Sequence, residues 1–208
     1  MDIQQLPPMP DRHTGEPRPP KAPSDQMDRD EPVRHNSGVH KAIPAPDGEG
    51  PLLEWSAPTK GVRVLAGVVM SVICLVVATF HYGGVGWVAT WWMWLLILPW
   101  PFLFIFVGRE QRVSAGADWV VISTGDYVKM YELVKVTVHI DGMAHTVRML
   151  DSAGRSARVR IGVLEINHRL WDLAYNGILH SVHVNAAETN KRAREYLLLD
   201  RPLHLREW

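Results

Sequence analysis

Two long apolar runs divide the chain into three parts. Residues 64–107 contain no Lys, Arg, Asp or Glu, and within them residues 64–80 and 85–107 form runs of seventeen and twenty-three residues. As helices, these runs would be about 26 and 34 Å long, against a hydrocarbon core of about 30 Å. The pattern therefore predicts a transmembrane helical hairpin over residues 61–108, with helices at about 61–80 and 85–107.

Basic residues lie on the outer flanks of this pair of runs. The connector, residues 81–84, contains no Lys or Arg, whereas Lys60, Arg63, Arg109 and Arg112 flank the pair. Cytoplasmic flanks collect Lys and Arg. We therefore expect a multi-pass protein of the cell (inner or plasma) membrane with both termini in the cytoplasm.

The second run is rich in tryptophan. Trp87, Trp91 and Trp94 recur at a spacing that puts them on one face of a helix. On the first run, Gly67 and Ser71 have the small-x-x-x-small spacing of closely packed membrane helices. We predict that these five residues form a helix-packing site, either within the hairpin or against a partner chain.

Proline dominates the segment before the first run. Twelve of the fifteen prolines precede residue 59, and aliphatic side chains are few there. Such a segment buries too little apolar surface to offset the entropy of ordering it. We expect residues 1–60 to be a disordered, proline-rich cytoplasmic tail, and Pro17-Arg18-Pro19-Pro20 leaves open the recruitment of a proline-binding module.

After the second run the pattern changes to strict alternation. Val136, Val138 and Ile140 alternate with polar residues, and Asp141-Gly142 predicts a two-residue hairpin turn. That turn would pair Ile140 with Met143, Val138 with His145 and Val136 with Val147. A third strand is expected in RSARVRI, residues 155–161, preceded by strands at about 119–122 and 127–130.

Helical periodicity follows the strands. Val163, Ile166, Leu170 and Ala174 recur at three- and four-residue steps, with Asn167 placed to cap a second helix. Asn185 and Glu188 have the spacing of a capping box, which predicts a helix over about 186–199. Strands followed by helices indicate an α+β domain over residues 113–200, with a C-terminal tail at 201–208.

This element order resembles a known architecture. Antiparallel strands closed by a terminal helix and attached to a two-span hairpin resemble the bacterial PH-like domains of small membrane proteins. The segment LWDLAYNGILHS, residues 170–181, is similar to a stretch of uncharacterised actinobacterial two-span membrane proteins. The resemblance implies membrane association and a scaffolding or regulatory role, and it brings no catalytic residues.

Charge and cysteine content narrow the classes of partner. Lys plus Arg and Asp plus Glu both total 22, which gives no basic excess for nucleic acid. The single cysteine, Cys74, excludes an internal disulfide and a thiolate zinc site. We expect the partners to be the lipid bilayer and a membrane protein or a second copy of this chain.

Four arginines are candidates for lipid contact. They lie on two adjacent predicted strands and the turn between them: Arg148, Arg155, Arg158 and Arg160. Near the inner leaflet, each basic residue would contribute about 1 kcal/mol of attraction to anionic headgroups. A solvated strand face is the alternative.

The catalytic signals are weak. Glu165-x-x-His168 has metal-ligand spacing and His180 could join it in a speculative mononuclear site, but bundle di-iron sites need that motif twice. The serines stand in no recognisable triad context, and no glycine-rich phosphate loop lies between a strand and a helix. We expect no cofactor and no enzymatic activity.

The sequence thus favours a non-enzymatic, membrane-anchored adaptor or scaffold that presents a cytoplasmic PH-like domain to a membrane protein or to inner-leaflet lipid. One alternative is a small accessory subunit of a membrane enzyme or transport complex, docked through the Trp-rich second helix. A metal-dependent membrane enzyme is the other.

Overall fold

In the computed structural model, the chain leaves one folded unit at Ala57 and returns to it at Gln111. The structure describes residues 6–24, 42–57, 60–100, 102, 112–122, 126–142 and 144–201. Unit 1 comprises Met1–Ala57 together with Gln111–Trp208, and unit 2 comprises Pro58–Glu110. The α+β unit is therefore assembled from two separated stretches of sequence, whereas the sequence predicts one continuous domain at 113–200.

The first sheet of unit 1 joins these two stretches. Its four antiparallel strands have the order β1-β2-β3-β4, with β1 at Glu54–Ser56, β2 at Val113–Ala115, β3 at Trp119–Ile122 and β4 at Tyr127–Lys129. Glu54 lies opposite Ala115 and Ser56 opposite Val113. The predicted strands near 119–122 and 127–130 are confirmed, whereas β1 falls inside the predicted tail.

The second sheet contains the predicted meander. Strands β5 at Leu133–Asp141, β6 at Ala144–Asp151 and β7 at Ser156–Arg160 are antiparallel, and β8 at Glu188–Thr189 pairs in parallel with β5. The order across the sheet is β7-β6-β5-β8. Alternate residues of this sheet face the core, including Val138, Val147 and Val159, each with 0% of its surface exposed.

The predicted register of the first hairpin is wrong by two residues. Asp141 still belongs to β5 and pairs with Ala144, so Val138 lies opposite Val147 instead of His145. Gly142, with φ of 65°, begins the turn in a conformation that glycine adopts without steric cost. Because a shift of two residues preserves the alternation, the apolar side chains keep the predicted face.

The described residues of unit 1 also form three helices. Numbered after the two helices of unit 2, they are α3 at Ile161–Glu165, α4 at His168–His183 and α5 at Lys191–Tyr196. The predicted cap is confirmed, since the Asn167 side chain accepts hydrogen bonds from the amides of Arg169 and Leu170. The predicted helix from 186 is wrong. Residues 188–189 form β8, and α5 starts later because Asn190 caps it.

Unit 2 holds the apolar part of the chain. Helix α1 covers Lys60–His81, a 3-10 helix covers Val85–Ala89 and α2 covers Trp91–Ile97. Among the described residues, α1 is the one helix long and apolar enough to span a membrane, with a mean hydropathy of 2.4 over Val64–His81. A continuous second helix from residue 85 is not found, because the backbone is extended at Thr90. Most of the predicted inner half of that helix, residues 101 and 103–107, lies outside the described residues.

The N-terminal segment differs from the disordered tail that its composition predicts. Residues 6–24 and 42–57 make specific contacts with the rest of unit 1. Trp119, which is completely buried, donates its indole N–H to the Gly50 carbonyl at 3.0 Å, and the Ile43 amide donates to the Ser114 hydroxyl at 2.8 Å. Ordering is favourable here because proline-rich backbone supplies carbonyl acceptors to side chains of the fold, a contribution that composition does not reveal.

A glycine of α4 tests the packing of this helix on the preceding strands. A Cβ built on Gly177 would lie 2.4 Å from the Met130 Cβ, whereas one built on Gly162 meets nothing within 4 Å. We predict that Gly177→Ala lowers the free energy of unfolding by roughly 1–3 kcal/mol through overpacking. Gly162→Ala, the matched control, should be neutral or stabilising by up to roughly 1 kcal/mol. Denaturant unfolding of the two proteins in detergent measures this, and equal midpoints would contradict the assigned packing.

Candidate functional site

The outer face of the second sheet carries three of the four predicted arginines. Arg148 of β6 lies directly opposite Arg158 of β7, and Arg160 lies opposite Thr146. All three arginines are exposed. Arg158 also pairs with Asp141 at 3.0 Å across the sheet. The face therefore combines a basic cluster with an acidic partner of Arg158 at its rim.

Arg155 lies apart from this face. Its Nε is 2.7 Å from Asp151, its guanidinium stacks over the Tyr127 ring at 4.3 Å, and it also donates to the Tyr127 hydroxyl. Asp151 is 1% exposed and accepts from the amides of Lys129, Ala153 and Arg155. Arg155 thus anchors the turn between β6 and β7, and the predicted patch of four arginines reduces to three.

The three metal-ligand candidates are spread along two helices. Glu165 ends α3 and His168 begins α4, whereas His180 lies twelve residues further along α4, which is about 18 Å at 1.5 Å per residue. The His180 Nε2 is 2.6 Å from the Pro7 carbonyl oxygen. Within the described residues there is no group of three or more His, Cys, Asp or Glu side chains that could hold a metal ion. A site that uses these three residues together would require a different arrangement of the helices.

The predicted helix-packing residues separate into buried and exposed groups within unit 2. The Ser71 hydroxyl lies 3.1 Å from the Gly67 carbonyl oxygen and 3.2 Å from that of Ile97, between which its one proton is shared, and this contact joins α1 to the end of α2. Trp87 is 6% exposed and donates its indole N–H to Thr79 at 3.1 Å.

The two other predicted tryptophans differ in their environments. Trp94 packs against Trp87 with ring centroids 5.6 Å apart, but Trp91 is 74% exposed and makes no such pair with another described residue. The spacing that predicted one stripe fails because the helix is interrupted at Thr90.

A further site, absent from the sequence analysis, lies where the N-terminal segment crosses α4. We call it the α4 groove, and its residues are Tyr131, Trp171, Asp172, Asn176 and His180. Each of the four helical side chains contacts a backbone atom of residues 6–24. These contacts are His180 Nε2 to the Pro7 oxygen at 2.6 Å, Asn176 Nδ2 to the Pro8 oxygen at 3.3 Å, the Ala22 amide to Asp172 at 2.7 Å and Trp171 Nε1 to the Pro23 oxygen at 2.6 Å.

The segment that fills the groove runs against the direction of α4. Pro7 and Pro8 lie near the C-terminal half of the helix, while Ala22 and Pro23 lie near its first turn. Between them, Asp11 closes a turn by accepting from the backbone amides of His13 and Thr14 and from the Thr14 hydroxyl. Backbone donors from Thr14 and His13 hold the pKa of the Asp11 carboxyl below its usual value.

A buried carboxylate fixes the neighbouring end of the site. Glu54 of β1 is 4% exposed and accepts from the Asn167 amide at 3.1 Å. Arg18 and Arg169 approach it at 3.6 and 3.9 Å. Strand β1, the N-terminal segment and the start of α4 therefore meet at one charged centre, beside a cleft that Thr14 and Leu173 also line.

Tyr131 closes the other end of the α4 groove. Its hydroxyl accepts from Asn176 Nδ2 at 3.0 Å, and its ring meets the His180 ring edge-on at 5.3 Å. Burial raises the pKa of the Tyr131 hydroxyl well above its ordinary value, against the smaller opposing effect of the Asn176 hydrogen bond. The Asn176 Oδ1 is buried and has no hydrogen-bond partner among the described residues.

One sequence signal for the groove was present, but it was interpreted as part of a disordered tail. Pro7-Pro8-Met9-Pro10 has prolines three residues apart, the repeat of a polyproline helix. The segment 170–181, quoted for its resemblance, contains Trp171, Asn176 and His180, but nothing in it indicated contact with the tail. These residues become neighbours of the tail only through contacts between positions 148 to 173 residues apart.

Comparison of the chain with protein-family models, with curated proteins and with solved structures found no match.

The buried Tyr131 predicts a pH dependence of stability. An unfolded tyrosine ionises near pH 10, whereas the folded protein keeps Tyr131 neutral to higher pH. The contribution of neutral Tyr131 to the free energy of unfolding is therefore complete below about pH 10 and is lost as the pH rises further. We predict that the free energy of unfolding falls more steeply between pH 9 and 11 in the wild type than in Tyr131→Phe. Denaturant titrations at several pH values measure this, and parallel profiles would contradict it.

Proposed function

We propose that this protein is a non-enzymatic, membrane-anchored adaptor or scaffold whose unit 1 is a cytoplasmic domain and whose unit 2 is a two-span membrane anchor. The observation that carries the proposal is the pairing of β1 with β2. These strands precede and follow the apolar segment and are adjacent in one sheet. Both ends of the membrane segment must therefore emerge on the same side of the bilayer.

This constraint bears on the number of membrane crossings. Helix α1 is long and apolar enough to cross once. A chain that crosses once and then returns to its starting sheet must cross back, so the second apolar run is the return path. The interruption at Thr90 is compatible with this path, because neighbouring helix surface can satisfy the freed backbone groups. The basic flanks of the two runs favour the cytoplasmic side for unit 1.

The element order of unit 1 supports a PH-like arrangement. Seven strands, β1–β7, are antiparallel within two sheets, and α4 follows them in the sequence. This is the strand-then-helix order of the bacterial PH-like domains that the sequence resembles. Strand β1, which precedes the apolar segment in the sequence, and the parallel strand β8 do not belong to the element order on which this resemblance is based.

The three exposed arginines indicate how the adaptor would contact lipid. Arg148, Arg158 and Arg160 share one sheet face, and each would contribute about 1 kcal/mol near an anionic leaflet. Inner-leaflet lipid is therefore part of the proposed function, together with a membrane protein partner.

Cysteine labelling tests the proposed topology. In a Cys74→Ala background, we expect Tyr82→Cys, in the connector between the apolar runs, to react with a membrane-impermeant maleimide in intact cells. Ser156→Cys, on exposed β7, should react only after lysis. If residue 82 reacts only after lysis, the segment does not cross the membrane, and if residue 156 reacts in intact cells, unit 1 is not cytoplasmic.

A second function, accessory subunit of a membrane complex, is favoured by the exposure of Trp91. This indole is 74% exposed within unit 2, whereas Trp87 is 6% exposed and already bonded to Thr79. Aromatic side chains of this size are frequent anchors at protein interfaces. A docking surface on the second apolar run would therefore use Trp91 and not the buried Trp87.

The two tryptophans provide a matched pair of variants. We predict that Trp91→Leu changes the stability of the isolated protein by less than about 0.5 kcal/mol, as exposed substitutions usually do. It should nevertheless abolish recovery of a stoichiometric partner by affinity purification from the native membrane. Trp87→Leu should lower the thermal midpoint instead. Full recovery of the same partner with Trp91→Leu would exclude docking through this residue.

A further inference from the structure

We propose that the α4 groove is a binding site for proline-rich peptide segments of a protein partner, and that residues 6–24 occupy it as an intramolecular competitor. The proposal deepens the adaptor function, on which it depends only for the partner being a protein. It assigns to unit 1 a peptide-binding activity that residues 6–24 of the same chain inhibit by occupying the groove.

The groove binds the backbone of its occupant. His180, Asn176 and Trp171 all face carbonyl oxygens of prolines, and Asp172 accepts a backbone amide. None of these four hydrogen bonds involves a side-chain polar group of the occupant. A different segment that follows the same path would offer the same backbone atoms, so these four contacts do not depend on the occupant's sequence. The sequence-specific contacts of residues 6–24 lie elsewhere, as in Arg12 with Asp118 and Arg18 with Glu54.

Proline is nevertheless selected by packing. Pro7 and Pro10 are buried while Pro8 and Met9 between them are exposed, and Pro23 is buried beneath Trp171 at the other end. Two buried prolines three residues apart fit one turn of a polyproline helix lying on a surface. Trp171 donates its indole N–H to the Pro23 carbonyl, and Tyr131 lies beside Asn176 and His180 at the other end of the groove. Aromatic-lined grooves are the surfaces that bind proline-rich segments.

The present occupant leaves one polar atom unsatisfied. Asn176 Nδ2 contacts both the Pro8 oxygen and the Tyr131 hydroxyl, but Asn176 Oδ1 is buried with no partner among the described residues. Pro7 and Pro8 have no amide hydrogen to offer it. A partner segment with an N–H at this position would satisfy a group that the chain's own segment does not, and this gives a partner a physical basis for displacing it.

The attachment of the occupant explains how a weak ligand could keep the groove filled. Residues 6–24 are linked to the sheet-forming segment 42–57 through residues 25–41. A short tether gives an effective concentration on the order of 1 mM, so a free peptide with a Kd of about 100 μM would bind the intact chain about tenfold more weakly than a chain without the tether.

The test uses the full-length protein in detergent, with a protease site inserted between residues 25 and 41 and cut after purification. The chain folds with its occupant in place, so the experiment does not require a truncated protein to fold. The probe is a fluorescent synthetic peptide with the sequence of residues 6–24. We expect the cut protein, after the released segment has been removed, to bind the peptide at least tenfold more tightly than the uncut protein.

Two controls separate groove binding from nonspecific binding. A peptide with glycine in place of every proline keeps all the carbonyl groups and should lose measurable affinity. On the protein side, His180→Phe keeps the ring but removes the contact with Pro7, and should weaken binding about threefold to tenfold, the loss of one hydrogen bond. His183→Phe, matched on the same helix but bonded to Leu199, should bind like the wild type.

Several results would overturn the proposal. Equal peptide affinity for cut and uncut protein would show that the segment does not compete for the groove. Equal affinity for the proline and glycine peptides would exclude selection of proline-rich segments by the groove. A dimer of the uncut chain with exchanged segments, detected by crosslinking residues 6–24 of one copy to α4 of another, would replace the partner by a second copy. Each of these results is independent of the cysteine-labelling result, so the peptide-binding proposal and the membrane topology are tested separately.

Discussion

The pairing of β1 with β2 is the constraint on which the rest of the structure depends. The two strands lie roughly sixty residues apart in sequence, and almost all of the intervening chain belongs to unit 2. Without β1, the first sheet would present the free edge of β2 to solvent, which is a template for unwanted strand pairing. The sheet is therefore complete only when the strands before and after the apolar segment have paired. The same pairing makes a return path for the apolar segment a requirement of the α+β unit.

Residues 42–57, which include β1, also cover one face of the first sheet. Buried strands of a small sheet need both faces covered, and in the first sheet Ser114, Val121 and Trp119 are all buried although they lie on the face opposite Val113 and Val120. The Ile43 amide and the Gly50 carbonyl satisfy the Ser114 hydroxyl and the Trp119 indole on that face. A buried polar group without such partners would cost roughly 1–3 kcal/mol. Residues 42–57 are thus part of the fold, whereas the α4 groove is filled by the separate stretch of residues 6–24.

Local features of the fold could be predicted from sequence because each depends on neighbouring residues. The alternation of Val136 and Val138 predicted β5, and Asn167 predicted the start of α4, since strand periodicity and capping involve residues a few positions apart. The predicted hairpin register is wrong by two residues because Gly142 is the first residue of the turn and not the second. The sequence is compatible with either position. The α4 groove could not be predicted at all. Its contacts join Pro23 to Trp171 and Pro7 to His180, and composition alone treats such a proline-rich segment as unable to fold.

The apolar segment also bears on how the discontinuous sheet can form. Closing a flexible loop of some fifty residues costs entropy that grows only with the logarithm of its length, so the separation of β1 and β2 is a modest penalty. In the proposed hairpin, that penalty falls further, because α1 and the second run are joined by a short connector and packed through the Ser71 contact with Ile97. Packing of the two apolar runs would bring residues 57 and 111 together before the strands pair. On the proposed hairpin, a change that separates the two runs should therefore weaken the pairing of β1 with β2.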